Sequence, residues 1–96
     1  MIEIKKNDGQ LTVKEQNVMD KLAKEVISKL ETQTIVRIPT YGTAYREYLC
    51  REVGLRFKKA GYYAALDYVP NGFRNLIVGK VQIPEPTGRL VSIKFL

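Results

Sequence analysis

A small α/β domain is what this sequence predicts, and three observations predict it. The chain has 96 residues, it holds two stretches with apolar residues at helical spacing, and several β-branched runs lie between turn signals. Ninety-six residues suffice for one hydrophobic core and are too few for two, so residues 1–96 are read as a single domain. Hydrophobic residues make up 45% and charged residues 27% of the chain, the balance of a globular rather than a disordered protein.

Residues 1–6 alternate Ile2 and Ile4 with Glu3 and Lys5, the pattern of a short strand, and Asn7-Asp8-Gly9 is its turn signal. Thr12 followed by Glu15 has the form of a capping box. Behind it Val18, Met19, Leu22, Ala23, Val26, Ile27 and Leu30 make one apolar stripe, which predicts an amphipathic helix over residues 13–31. Residues 34–38 are a β-branched run closed by Pro39 and read as a buried strand.

A second helix is predicted over residues 44–60, where Tyr45, Leu49, Val53 and Phe57 recur every four residues beside Tyr48. Thr43 is its expected N-cap, Lys58 and Lys59 suit its carbonyl end, and Gly61 supplies a left-handed stop. Gly54 inside it marks either close packing or a tolerated cost of about 1 kcal/mol. Three strands follow, over residues 62–69, 73–83 and 89–96, divided by Pro70-Asn71-Gly72 and by a proline-rich turn at residues 84–88.

The order is therefore β-α-β-α-β-β-β. Right-handed crossovers place two helices on one face of a mixed sheet if the first two strands are parallel neighbours, giving a two-layer sandwich. Its far face is then left uncovered, as wet surface or as an interface with a partner or, in a homodimer, a second copy.

Several function classes are disfavoured by what is missing. No apolar run reaches membrane-spanning length and the first ten residues lack the apolar segment of a signal peptide, so a cytoplasmic protein is expected. One cysteine, Cys50, permits no internal disulfide and reads as a partly buried small hydrophobe rather than a reactive thiol. The absence of histidine removes the commonest general base and metal ligand, and the acids are mostly placed as helix-surface partners of Lys and Arg. The expectation is a protein that is not an enzyme and that uses no metal or cofactor.

Sixteen Lys and Arg against ten Asp and Glu give a net charge of +6, which biases encounters toward polyanions, nucleic acid first, although such charge also serves solubility alone. Residues 37–56, RIPTYGTAYREYLCREVGLR, interleave four arginines with three tyrosines. Arginine grips phosphates bidentately and tyrosine stacks on exposed bases, a mixture suited to RNA or single-stranded DNA. The competing account gives Tyr45 and Tyr48 to the core and pairs Glu47 with Arg51 and Glu52 with Arg56 along the helix. The candidate nucleic-acid-binding residues are Arg37, Tyr41, Arg46, Arg51, Lys58 and Lys59. Arg74, Lys80, Arg89 and Lys94 are possible extensions of the same basic surface.

The element order, together with Ile38-Pro39-Thr40-Tyr41-Gly42-Thr43-Ala44, resembles Alba-type nucleic-acid-binding proteins, in which a strand is followed by a glycine and a small residue entering the second helix. In order it also looks like the C-terminal domain of bacterial translation initiation factor three. Both resemblances imply nucleic-acid binding. Tyr41 stands where Alba places a basic residue, and Alba's long basic hairpin has no counterpart here. Residues 12–83, with Lys59-Ala60-Gly61-Tyr62 closing the second helix, are similar to small phage-encoded proteins. That resemblance implies the alternative function: a phage or mobile-element protein-interaction module that meets an acidic protein partner through the open sheet face or an edge strand.

Overall fold

The computed structural model describes residues 11–85 and 91–96. Within them lie α1 (Val13–Leu30), β1 (Ile35–Pro39), α2 (Glu47–Lys59), β2 (Tyr63–Val69), β3 (Gly72–Gly79) and β4 (Ser92–Phe95). The strand expected at residues 1–6, the proline-rich turn beyond residue 85, and Arg89 lie outside the described residues. The protein is thus a small α/β domain of two helices on an open four-stranded sheet of order β1-β3-β2-β4. Among the described residues every strand pair is antiparallel, where a mixed sheet was expected. The reason lies in the neighbours: β1 pairs with β3 of the β2–β3 hairpin.

Thr12 and Glu15 do cap α1 reciprocally: the Glu15 N–H donates to Thr12 Oγ1 (3.0 Å) and the Thr12 N–H donates to Glu15 Oε1 (2.9 Å). From that start Met19, Leu22, Val26 and Leu30 fall on one buried line. Ile27, placed in the core stripe by its spacing, is exposed; the buried stripe is only as wide as the sheet and α2 can cover. The α1 line meets Leu49, Cys50, Val53 and Phe57 of α2 and Val36, Ile38, Leu66, Leu76 and Val78 of the sheet in one cluster.

At Gly54 α2 packs closely on Leu96 and on the sheet. A Cβ there would stand 2.5 Å from Leu96 Cδ1 and 3.3 Å from Leu76 Cδ1, so its reason is close packing. The end of α2 follows the Schellman pattern. With Gly61 at φ 100°, its N–H donates to Lys58 O, the Tyr62 N–H donates to Phe57 O, and the rings of Phe57 and Tyr62 meet edge to face at 5.6 Å.

The expected strand over residues 73–83 stops at Gly79. A Cβ on Gly79 would sit 2.7 Å from the Val81 carbonyl oxygen, so only glycine fits the bend that follows. Past it, Ile83 lies fully buried on Ala65 and Ile77, with Ile35 and Ile93 alongside. Part of the far face, expected to be uncovered, is therefore covered by the chain's own Ile83. No described helix is long and apolar enough to cross a membrane.

Candidate functional site

The turn between β1 and α2 is built almost entirely from hydrogen bonds. Pairing of β2 with β3 shifts register between Asp67 and Tyr68: Asp67 faces Asn75 while Tyr68 faces Phe73, leaving Arg74 as the extra residue of a β-bulge. The Arg74 carbonyl faces β1, where it accepts two bonds from the residue that continues the β1–β3 register, the Thr40 N–H at 2.9 Å and the Thr40 hydroxyl at 2.7 Å. Thr40 O in turn accepts the Thr43 N–H (3.1 Å) and the Thr43 hydroxyl (2.7 Å), closing a tight turn over residues 40–43. Gly42, at φ 74°, occupies the turn position that needs a left-handed backbone. Finally Thr43 Oγ1 accepts the Tyr45 N–H at 3.0 Å.

α2 starts later than its sequence predicts. Thr43, the expected N-cap, accepts the Tyr45 N–H, but the residues after it do not continue into the helix. The helix opens at Glu47 with Arg46 as an N-cap whose side chain makes no capping hydrogen bond. The outcome for function is at the tip. Tyr41 stands 90% exposed on a turn whose four residues are tied at both ends, and the exposed Arg46 follows at the mouth of the helix.

The six candidate residues do not form one surface. Tyr41 and Arg46 belong to this turn. Arg37 is exposed on β1, but its neighbours Val36 and Ile38 point into the helix-packed cluster, so Arg37 lies on the opposite face of the sheet. Arg51 is engaged: its Nη2 donates to Glu47 Oε2 at 2.9 Å and to the Tyr68 hydroxyl at 3.3 Å, while that hydroxyl donates to the same Glu47 oxygen at 2.6 Å. Lys58 and Lys59 are exposed in the last turn of α2, about 18 Å along the axis from Arg46. Of the extensions, Arg74 is brought beside the turn by its own carbonyl.

Of the two tyrosines assigned to the core by spacing, Tyr45 packs against it and Tyr48 does not. Tyr48 is 53% exposed and its hydroxyl donates to Glu15 of α1, while Tyr45, half-buried, donates to Glu25 at 3.0 Å. Both hydrogen bonds hold the helices together, and both raise the tyrosine's pKa; burial is the larger cause for Tyr45, the bond to Glu15 for Tyr48. Cys50 is fully buried, and burial, then the nearby Glu47 charge, pushes its thiol up to about 12.

At the other end of α2 lies a cleft of about 740 Å³, with Lys58, Tyr62, Tyr63, Ile83, Phe95 and Leu96 in its walls. Tyr63 and Phe95, 47% and 44% exposed, come from the same face of adjacent strands. Sequence reasoning missed this cleft because it depends on the bend at Gly79. It also missed the bulge that supports Thr40, although Asp67 in an otherwise apolar strand and Asn75 across the hairpin were its visible signs. No family model, no curated protein and no solved structure matches the chain.

Proposed function

We propose that this domain is a non-enzymatic, intracellular nucleic-acid-binding module. It takes a single strand at the turn before α2, stacking a base on Tyr41 and meeting a phosphate with Arg46. The proposal keeps the two-layer reading of the fold, with both helices on one side of the sheet. One observation carries it: a tyrosine ring 90% exposed on a turn fixed by hydrogen bonds. An aromatic held out in water on a rigid support loses little freedom when a base stacks on it. The net charge of +6 supplies long-range attraction, to which Arg37, Lys58 and Lys59 add without touching the same nucleotide. Arg51, already bonded to Glu47, stays a structural group in this reading.

The test is binding of labelled single-stranded RNA, single-stranded DNA and duplex DNA across a salt series. Single strands should bind in preference to duplex, with log K falling by about 0.7 per phosphate neutralised as log salt rises. Arg46→Glu should flatten that slope, and Tyr41→Ala should weaken binding by about 5- to 100-fold at every salt concentration. No binding of the wild type at low salt overturns the proposal.

A second reading is favoured by the cleft at the far end of α2. There Tyr63 and Phe95, beside β4 at the sheet edge, suit an apolar segment of a protein partner, as the resemblance to phage-encoded interaction modules implies. Binding of that kind changes little with salt, which separates the two.

A further inference from the structure

We infer that Asp67 is a positioning residue for the Tyr41 turn, acting from the second strand of the sheet through the bulge in the third. The functional half of this inference rests on the nucleic-acid reading; the positioning half does not. Asp67 is buried in β2 at 9% exposure, between Leu66 and Tyr68, where an apolar residue would pack at no electrostatic cost. Its carboxylate is spent on one neighbour: Oδ1 accepts the Asn75 N–H at 3.1 Å and Oδ2 accepts the Asn75 side-chain amide at 2.8 Å. A side chain thus takes the backbone donor next to the bulge, at the point where the ladder changes register.

That arrangement holds the Arg74–Asn75 peptide group from both sides: its N–H is bound by Asp67 on the β2 side, and its carbonyl, which faces β1 and has two acceptor sites, is filled by the two donors of Thr40. Thr40 O is filled in the same way by the two donors of Thr43, and Thr43 Oγ1 takes the Tyr45 N–H. An unbroken series of contacts therefore leads from Asp67 through Asn75, Arg74, Thr40 and Thr43 to the entry of α2, with Tyr41 and Gly42 on the loop between its last links. Strand pairing alone does not require a carboxylate at residue 67; holding the bulge, and with it the direction of Tyr41, does.

The experiment has two arms. Amide hydrogen exchange at Thr40, Thr43 and Tyr45 is compared with exchange at Leu22 and Val26 in the wild type, Asp67→Ala and Thr40→Val. The second variant cuts the same series at a site where the shape of the core is kept. Exchange at the three turn amides should quicken by about tenfold or more beyond any change common to α1. In the second arm a labelled uridine oligomer is titrated against the wild type, Asp67→Ala, Tyr41→Ala and the double variant. If Asp67 works by aiming Tyr41, the double variant should bind no more weakly than Tyr41→Ala alone. Multiplying losses in the cycle, or turn amides that keep pace with α1, overturn the inference. A wild type that fails to bind the oligomer overturns the nucleic-acid reading instead, and the exchange arm still decides whether Asp67 positions the turn.

Discussion

At its N-terminal end α2 is entered through residues joined by hydrogen bonds, from Arg74 O through Thr40 and Thr43 to the Tyr45 N–H. At its C-terminal end the chain leaves over Gly61 and an edge-to-face contact of Phe57 with Tyr62, into a cleft walled by Tyr63, Phe95 and Leu96. The difference concerns what each end can hold fixed. Hydrogen bonds are directional, so the first end can hold one exposed side chain in one direction, and it fails when a single partner is lost. Apolar contact is not directional. The second end therefore sets a shape that tolerates changes of side chain so long as volume is kept.

The largest effect that separates the two ends comes from Phe57, buried at the cleft end. Phe57→Ala should lower unfolding stability by about 3–5 kcal/mol in urea titration, more than any single substitution in the turn. If it costs no more than a turn variant, the ends do not differ in the way described. Next come the two glycines, since each end uses one at positive φ, Gly42 at 74° and Gly61 at 100°. An alanine at either should cost about 1–2 kcal/mol, because a Cβ crowds the left-handed backbone rather than any neighbour. Equal losses of stability, with binding of a single strand lost only in Gly42→Ala, would sharpen the assignment of function to the first end.

Smaller still is a pH effect at the first turn of α2. The Tyr68 hydroxyl, and after it Arg51, hold the Glu47 carboxyl below its usual value of 4.5. A carboxyl lowered in this way contributes stability above that value, and the contribution is lost as pH falls through the folded pKa. Tyr68 is raised above its usual 10.0, by burial first and then by its bond to Glu47, so its share is present below pH 10 and lost as pH rises through the folded value. Tyr68→Phe should flatten both limbs of a plot of melting temperature against pH. A plot unchanged by the substitution would remove Glu47 and Tyr68 from the account. The smallest effect is that of Tyr41→Ala on stability, within about 0.5 kcal/mol, because the ring is 90% exposed. A larger loss would mean that the ring packs on its own chain and is not free to stack.

Much of the scaffold was legible because it is written in local chemistry. Thr12 and Glu15 announce the start of α1, Pro39 the end of β1, and Gly61 the end of α2. What could not be read depends on contacts distant in sequence. Thr43 looks like a cap, yet Thr40 holds it in a turn that is itself anchored on the Arg74 carbonyl, far along the chain. Residues 80–83 carry strand-like composition, and it is the missing Cβ at Gly79 that leaves room for the Val81 carbonyl and the bend. Tyr48 fits a core stripe by spacing, but Glu15 of α1 stands where its hydroxyl can remain at the surface. The scattering of Arg37, Arg51, Lys58 and Lys59 required knowing which face the helices cover.

Cys50 gives the chain a built-in clock. Its sulfur is fully buried among residues of both helices and the sheet, and the thiolate, the form that attacks reagents, is scarce in a group pushed up to about 12. A thiol reagent added to the native protein therefore waits for an opening of the whole core, and the rate of labelling counts those openings. The same chain can be followed with and without an oligomer on the turn, and any ligand that binds the folded form must slow the clock by the factor its affinity sets.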